Sequence, residues 1–124
     1  MAVKKKAKVL VVDDAIFMRR MLADIIKEGG HEVIAEAANG EDGVKQFKEK
    51  KPDIVTMDII MPGMGGIDAV REIVKSDEHA IVLMVSAMGQ QQLVVEAIQA
   101  GARDFIVKPF EPSRVLNAIE RLLK

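Results

Sequence analysis

Apolar and polar positions follow two alternating patterns along this chain. Five short runs rich in Val and Ile are almost wholly apolar, and the stretches between them carry apolar residues at three- and four-residue spacing. Unalternating apolar runs are typical of parallel strands buried on both faces, and the longer stretches are typical of amphipathic helices. The predicted strands are residues 9–12, 33–37, 53–57, 81–85 and 105–107. The pattern therefore predicts an α/β fold with a doubly wound parallel sheet.

Turn-forming residues mark the ends of the predicted helices. Gly and Asn are favoured where helices end or begin, and Pro is favoured in the first turn or just beyond the last. These markers are Gly29, Gly30, Asn39, Gly40, Pro52, Gly101 and Pro112. In the first helix we expect one apolar stripe to lie in the core, formed by Phe17, Met18, Met21, Leu22, Ile25 and Ile26. No repeat or linker divides the chain, so we expect one domain over residues 1–124.

Composition favours an ordinary globular protein. Of 124 residues, 49% are hydrophobic, and 18 basic side chains face 19 acidic ones, which argues against a general role in binding nucleic acid or membrane surfaces. The absence of cysteine excludes disulfides and thiolate metal sites, and no apolar run reaches membrane-spanning length. The basic start, MAVKKKAK, is interpreted as a solvated leader rather than a signal peptide. We expect a cytoplasmic location.

Polar residues with chemical potential follow four of the five predicted strands. Asp13 and Asp14 follow the first strand, Asp58 the third, Ser86 the fourth and Lys108 the fifth. The carboxyl ends of parallel strands share one edge of the sheet, where ligands bind in doubly wound folds. A single Asp after a strand is more often a helix cap, and Asp14 could cap the first helix. Three converging carboxylates, however, repel one another unless a cation neutralises them.

A hard divalent cation is the natural partner of this cluster. Three carboxylates are balanced by Lys108 together with one Mg²⁺, which prefers oxygen ligands and readily shares them with phosphate. The cluster thus points to Mg²⁺-dependent phosphoryl chemistry. Without metal, the carboxylates should repel, so we expect Asp13→Ala to stabilise the metal-free protein.

Other site chemistries are poorly supported. His31 and His79 lack zinc-ligand spacing, and we expect both at the surface. No histidine accompanies Ser86 to form a serine-type triad. The glycine-rich segments NGEDG (39–43) and GMGG (63–66) match neither common nucleotide-binding motif.

Four segments, in this order and at these spacings, carry a specific family resemblance. They are VVDD (11–14), DIVTMDIIMPGMGG (53–66), SAM (86–88) and DFIVKPF (104–110). Together they resemble the receiver domain of bacterial and archaeal response regulators, over essentially the whole chain. The resemblance implies a flavodoxin-like (βα)5 fold with strand order 2-1-3-4-5.

The resemblance also implies roles for the acidic residues. Asp58 would accept a phosphoryl group from a histidine kinase. Asp14, Asp58 and the backbone carbonyl of Ile60 would ligate Mg²⁺, and Asp13 would hold the metal through water.

The remaining implied roles concern switching. Ser86 would sense the phosphoryl group, and Lys108 would pair with that group. The Lys108–Pro109 peptide bond would be cis. Phe105, where many relatives have tyrosine, would occupy the space that the serine vacates, and without a hydroxyl it should prefer the buried rotamer. Val94 is expected to face solvent and, with Phe105, to belong to the partner surface.

Within this family the nearest resemblance is to the CheY family of single-domain chemotaxis regulators, through FMRRML (17–22), SAMGQQ (86–91), EAIQAGARDFIVKPF (96–110) and PSRV (112–115). It implies a chemotaxis-type histidine kinase, a motor switch or adaptor protein and a possible phosphatase as partners of a monomer that catalyses its own phosphorylation. With no output domain in these residues, the output is expected to be a partner protein.

Three alternatives stay open on the sequence alone. The chain could be a phosphorelay intermediate, or a flavodoxin-like binding module without phosphotransfer, which would leave the acidic cluster unexplained. It could also be a metal-dependent phosphatase with an aspartyl nucleophile, although that class expects an acidic side chain where Ile60 stands.

Overall fold

Strands and helices alternate strictly in the computed structural model, which describes residues 6–124. Residues 1–5, most of the predicted basic leader, lie outside the described part. The strands are β1 (Lys8–Val12), β2 (Glu32–Ala37), β3 (Ile54–Met57), β4 (Val82–Ser86) and β5 (Asp104–Val107). The helices are α1 (Ile16–Glu28), α2 (Gly40–Lys50), α3 (Gly66–Ser76), α4 (Gln91–Ala100) and α5 (Pro112–Leu122).

The five strands form one parallel sheet in the order β2-β1-β3-β4-β5. Both the α/β class and the expected 2-1-3-4-5 order are therefore confirmed, and every predicted strand boundary lies within one residue of the observed one. The order reverses between β1 and β3, so the carboxyl ends of these two neighbours flank the crevice where doubly wound folds bind ligands.

Two layers of helices cover the sheet. Apolar residues of α1 and α5, among them Leu22, Ile26 and Ile119, pack on one face against Val9 and Val11. The other face carries α2, α3 and α4, whose core residues include Phe47, Val70, Ile73 and Ala97. The central strands β1, β3 and β4 are buried almost throughout, so they are mostly apolar without alternation, whereas the edge strand β2 is only partly buried.

The predicted helix punctuation is largely realised. The Asn39 side chain caps α2 by accepting a 2.8 Å hydrogen bond from the Asp42 backbone N–H, and Pro112 begins α5. Gly101 ends α4 with a φ of 123°, a backbone conformation that favours glycine. Among residues 6–124, no helix has both the length and the apolar character needed to cross a membrane.

The predicted core stripe of α1 is wrong at its start. Phe17 is 72% exposed, whereas Leu22, Ile25 and Ile26 are buried and Met18 is partly buried. The core cluster on this face includes α1 residues from Met18 onward, whereas Ile16 and Phe17 at the start of the helix are exposed.

The expected surface position of His31 is also wrong. This side chain is only 4% exposed, and its Nδ1 accepts a 3.0 Å hydrogen bond from the Ala7 backbone N–H. The short Gly29–Gly30 turn brings His31 beneath the start of β1, where a buried N–H needs an acceptor. His79 is exposed, as expected.

Close approach of backbones explains one glycine in the loop that follows β3. A Cβ on Gly66 would lie 1.8 Å from the Asp58 carbonyl oxygen, so only glycine lets α3 begin this close to the end of β3. The neighbouring Gly65 has an ordinary φ of −73°, and its Cβ would come no nearer than 3.3 Å to the Ile59 carbonyl oxygen. Gly66 therefore sets the distance between α3 and Asp58.

We predict that Gly66→Ala lowers the free energy of unfolding by about 2 kcal/mol or more, because the backbone must shift to admit the methyl group. Helix propensity alone would predict the opposite sign, since alanine stabilises a helix relative to glycine. Urea unfolding measures the change, with Gly65→Ala as the matched control and an expected change within about 1 kcal/mol. Equal effects of the two substitutions would contradict the close approach.

Candidate functional site

The ends of β1 and β3 bring two of the predicted aspartates together. Val12 and Met57 are register partners at the ends of these parallel strands, and the Asp58 N–H donates a 3.1 Å hydrogen bond to the Val12 carbonyl. Asp13 and Asp58 therefore leave the sheet side by side. The sheet topology alone fixes this juxtaposition.

Asp13, Asp14 and Asp58 form one cluster. Each offers a carboxylate oxygen, and these oxygens all lie within 4.8 Å of one another. Asp13 is 1% exposed and Asp58 is 8% exposed, whereas Asp14 lies open to solvent. The sequence-based expectation that the three carboxylates converge is thus realised, with two members shielded from water and one accessible.

Lys108 supplies the counter-charge. Its Nζ donates to Asp13 Oδ2 at 2.8 Å and to Asp58 Oδ2 at 3.3 Å, and the lysine side chain is only 14% exposed. The Lys108–Pro109 peptide bond is cis, as expected. The backbone N–H of Lys108 also donates to the Ser86 carbonyl at 2.9 Å, which fixes the end of β5 beside β4.

Every polar group of Asp13 has a partner. Its N–H donates to the Ala37 carbonyl at 3.0 Å, and its Oδ1 accepts from the Ala15 N–H at 2.9 Å. The Asp13 carbonyl accepts a 2.8 Å hydrogen bond from the guanidinium of Arg19, while Oδ2 accepts from Lys108. Asp13 is consequently held from the backbone and from both carboxylate oxygens.

Asp14 has none of these restraints. Within residues 6–124, no hydrogen bond or ion pair joins its side chain to another residue. The alternative reading of Asp14 as a helix cap is wrong, because Ala15 is the N-cap of α1 and no side chain caps that helix. The Ala15 N–H is satisfied by Asp13 instead. Asp14 is therefore free to orient toward a ligand.

Asp58 is held less completely. Its Oδ1 accepts a 2.7 Å hydrogen bond from the Ile59 N–H, and its Oδ2 faces Lys108. Two residues further along the chain, Ile60 is 60% exposed.

Ser86 and Phe105 occupy buried positions next to this site. Ser86 is fully buried at the end of β4, and its Oγ accepts a 3.2 Å hydrogen bond from the Met88 N–H. Phe105 is 9% exposed and packs in the cluster on the α3–α4 face, which agrees with the expected buried rotamer.

The expected exposure of Val94 is wrong. Val94 is partly buried against the core, while Val95 and Ile98 are 47% and 45% exposed. The fully buried Ala97 lies three residues after Val94, on the same face of α4, and so the helix turns that face inward. Val107 on β5 is 46% exposed. We call Val95, Ile98 and Val107 the α4–β5 apolar surface.

The chemistry of the cluster fits Mg²⁺. All three side chains offer oxygen ligands only, which suits a hard cation and not zinc. Three carboxylates exceed the single charge of Lys108, and two of them are shielded from the water that would otherwise stabilise them.

Arg19 and Glu36 join the site without having been predicted from the sequence. Arg19 Nε lies 3.3 Å from Glu36 Oε1 on β2, while the same guanidinium reaches the Asp13 carbonyl. One sequence signal existed: α1 carries no acidic residue in its first turn, yet Arg19 lies at the beginning of the helix, where the helix dipole disfavours a positive charge. The partner Glu36 has no comparable signal.

Comparison with known proteins agrees with this geometry. A family model described as the response regulator receiver domain matches residues 9–120. The chain is 61% identical over 117 residues to chemotaxis protein CheY of Thermotoga maritima, covering 94% of this chain and 98% of that protein. It is 57% identical over 116 residues to chemotaxis protein CheY of Bacillus subtilis, covering 94% and 97% respectively.

Solved structures give the same result. The crystal structure of the CheX–CheY–BeF3–Mg+2 complex from Borrelia burgdorferi includes a chain that is 39% identical, with a TM-score of 0.91 over 94% of this chain and 89% of that one. The family model and these relatives match nearly the whole chain, and the structure brings Asp13, Asp14 and Asp58 together beside Lys108. The chain therefore belongs to the response regulator receiver domain family.

Proposed function

We propose that this protein is a phosphorylation-activated switch of a two-component system, in which Asp58 accepts a phosphoryl group from a histidine kinase. The observation that carries the proposal is the pairing of Lys108 with both buried carboxylates of an aspartate cluster. A binding module without phosphotransfer has no need for such a concentration of like charge.

Asp58 is suited to act as the nucleophile. One of its oxygens attacks the phosphorus atom as the bond to the kinase's phosphohistidine nitrogen breaks, which leaves an acyl phosphate on Asp58. The transition state is loose and anionic, so catalysis consists mainly of positioning and neutralisation. Lys108, 3.3 Å from Asp58 Oδ2, neutralises charge on the incoming phosphoryl oxygens. The protein would in this way promote its own phosphorylation.

Asp13, Asp14, Asp58 and the Ile60 carbonyl would hold Mg²⁺. When bound, this ion neutralises phosphoryl oxygens that the aspartates would otherwise repel. Asp13 orients the cluster through its fixed carboxylate, and Asp14 has the freedom to adjust to the ion.

Ser86 and Phe105 would report the phosphorylated state. The Ser86 Oγ accepts a 3.2 Å hydrogen bond from the Met88 N–H, so its own O–H is available as a donor, and the side chain would turn toward a phosphoryl oxygen. That movement leaves space toward β5, which the apolar Phe105 ring can fill more deeply. We expect the movement of Phe105 to shift the backbone of β5 at Val107. This shift would change the shape of the partner surface next to the α4–β5 apolar surface.

Chemotaxis is the proposed setting. The relatives from Thermotoga maritima and Bacillus subtilis are both chemotaxis proteins, and the match covers nearly their whole length. The proposed partners are a chemotaxis-type histidine kinase, a motor switch or adaptor protein, and a phosphatase, in line with the CheX complex of the Borrelia burgdorferi relative. A single receiver domain over residues 1–124, a monomeric state and a cytoplasmic location belong to the same proposal.

The first prediction concerns the phosphoacceptor. Asp58→Asn should abolish phosphorylation by acetyl phosphate or phosphoramidate with Mg²⁺, because an amide is a far poorer nucleophile and a weaker metal ligand. Intact-mass measurement records the gain of one phosphoryl group. Asp68→Asn, the same change at an exposed carboxylate paired with Arg71, is the control and should behave as wild type. A stoichiometric phosphoryl group on the Asp58→Asn protein would refute the assignment.

The second prediction revises the expectation for Asp13→Ala. Asp13 holds Lys108 and the Ala15 N–H, so its removal should destabilise the metal-free protein by about 1 to 3 kcal/mol. Asp14 makes no such contacts, and Asp14→Ala should relieve repulsion and stabilise the protein by up to about 1 kcal/mol. Thermal or urea unfolding in chelator compares the two. A stabilised Asp13→Ala protein would contradict the role of these contacts.

The third prediction concerns the lifetime of the acyl phosphate. Ile60 and Met88, two residues beyond Asp58 and Ser86, cannot orient an attacking water, so self-dephosphorylation should be slow. Ile60→Asn combined with Met88→Glu should accelerate hydrolysis by about tenfold, or about 1.4 kcal/mol of barrier. Ile98→Asn, a similar change at an exposed position of α4, serves as control. An unchanged rate with intact Mg²⁺ affinity would mean that the metal and Lys108 alone set the lifetime.

A further inference from the structure

We propose that Arg19 is a positioning residue for the acidic cluster and that Glu36 orients it. The inference rests on the proposed function, because it concerns how the cluster is prepared for Mg²⁺ and the phosphoryl group. Arg19 contacts none of the three carboxylates in the described structure. It acts through the backbone at Asp13, where β1 ends and the turn to α1 begins.

The Asp13 carbonyl needs a donor that the sheet does not supply. β1 ends at Val12, and the Asp13 N–H makes the last backbone bond in this direction, to Ala37 on β2. Arg19 donates to the Asp13 carbonyl at 2.8 Å from a side chain that is only 16% exposed. The peptide plane between Asp13 and Asp14 is thereby fixed, and both aspartate side chains extend from the two ends of that plane.

Glu36 fixes the other side of the guanidinium. Its Oε1 lies 3.3 Å from Arg19 Nε, so the planar guanidinium spans from β2 to the end of β1. Such a bridge requires two donors held in one rigid plane, which arginine provides and lysine does not. The register of the sheet supports the bridge, since Glu36 is the partner of Val11 in the β1–β2 pairing.

Electrostatics alone does not explain this arginine. A positive charge beside a cation site repels Mg²⁺ and would by itself weaken metal binding. The helix dipole disfavours it as well at the beginning of α1. Arg19 is therefore explained by its hydrogen-bond geometry rather than by its charge, and the two explanations predict opposite effects when the charge is removed.

The test compares Mg²⁺ binding by isothermal titration calorimetry in wild type, Arg19→Gln, Arg19→Lys and Arg20→Gln. Arg20 is the exposed neighbour, so its replacement removes the same charge from α1 without touching the Asp13 carbonyl. Thermal unfolding in chelator establishes that each variant is folded. Backbone amide NMR signals of Asp14 and Ala15, recorded without metal, report the geometry of the turn directly.

We expect Arg19→Gln to weaken Mg²⁺ binding by about tenfold, at the lower end of what the loss of an outer-sphere partner costs. Arg19→Lys should weaken it too, by a smaller factor, although the charge is kept. Both variants should shift the Asp14 and Ala15 amide signals, and Arg20→Gln should leave affinity and these signals close to wild type.

Equal or tighter Mg²⁺ binding by folded Arg19→Gln would overturn the inference, since charge removal alone predicts that direction. If Arg19→Lys bound Mg²⁺ with wild-type affinity, a planar bridge to Glu36 would not be required, and that part of the inference would be wrong. Failure of the proposed function has a different signature: the wild-type protein itself would bind no Mg²⁺ and gain no phosphoryl group, and the inference would fall with it.

Discussion

The pairing of Lys108 with Asp13 and Asp58 is the interaction on which the rest of this site depends. Two shielded carboxylates at neighbouring strand ends are tolerable only because an ammonium group lies 2.8 and 3.3 Å from them. The single charge of Lys108 leaves the three-aspartate cluster with an excess of negative charge. In the proposed function, that excess would attract a divalent cation, and Lys108 would neutralise the incoming phosphoryl group.

Most of the scaffold around the cluster consists of backbone contacts. Parallel pairing of β1 and β3 places Asp13 beside Asp58, Gly66 lets α3 start against the Asp58 carbonyl, and Arg19 holds the Asp13 carbonyl. A site built in this way is rigid on the strand side and open on the side of Asp14 and Ile60, which are exposed. In the proposed function, rigidity would favour a fixed transition-state geometry, and the open side would be the route by which a kinase reaches Asp58.

Features determined by local patterns could be predicted from the sequence. The five apolar runs predicted the five strands. The polar residues that follow these runs were predicted to share one edge of the sheet, and they are Asp13, Asp14, Asp58, Ser86 and Lys108. The rotation of α4 could not be predicted, because Val94 and Val95 are identical in type and only packing decides which of them faces solvent. The role of Arg19 could not be predicted for a related reason. Its role depends on Glu36, a residue on another strand that no local pattern connects to it.

The most direct measurement is a crystal structure with beryllofluoride and Mg²⁺, which mimic the phosphorylated state. The account predicts beryllofluoride bonded to an Asp58 oxygen, Lys108 Nζ moved from Asp58 to a fluorine, and the Ser86 hydroxyl turned from the Met88 N–H toward the same group. Mg²⁺ should contact Asp14, Asp58 and the Ile60 carbonyl. Beryllofluoride at another residue, or Lys108 still paired with Asp58 in the activated protein, would contradict the central role of this ion pair.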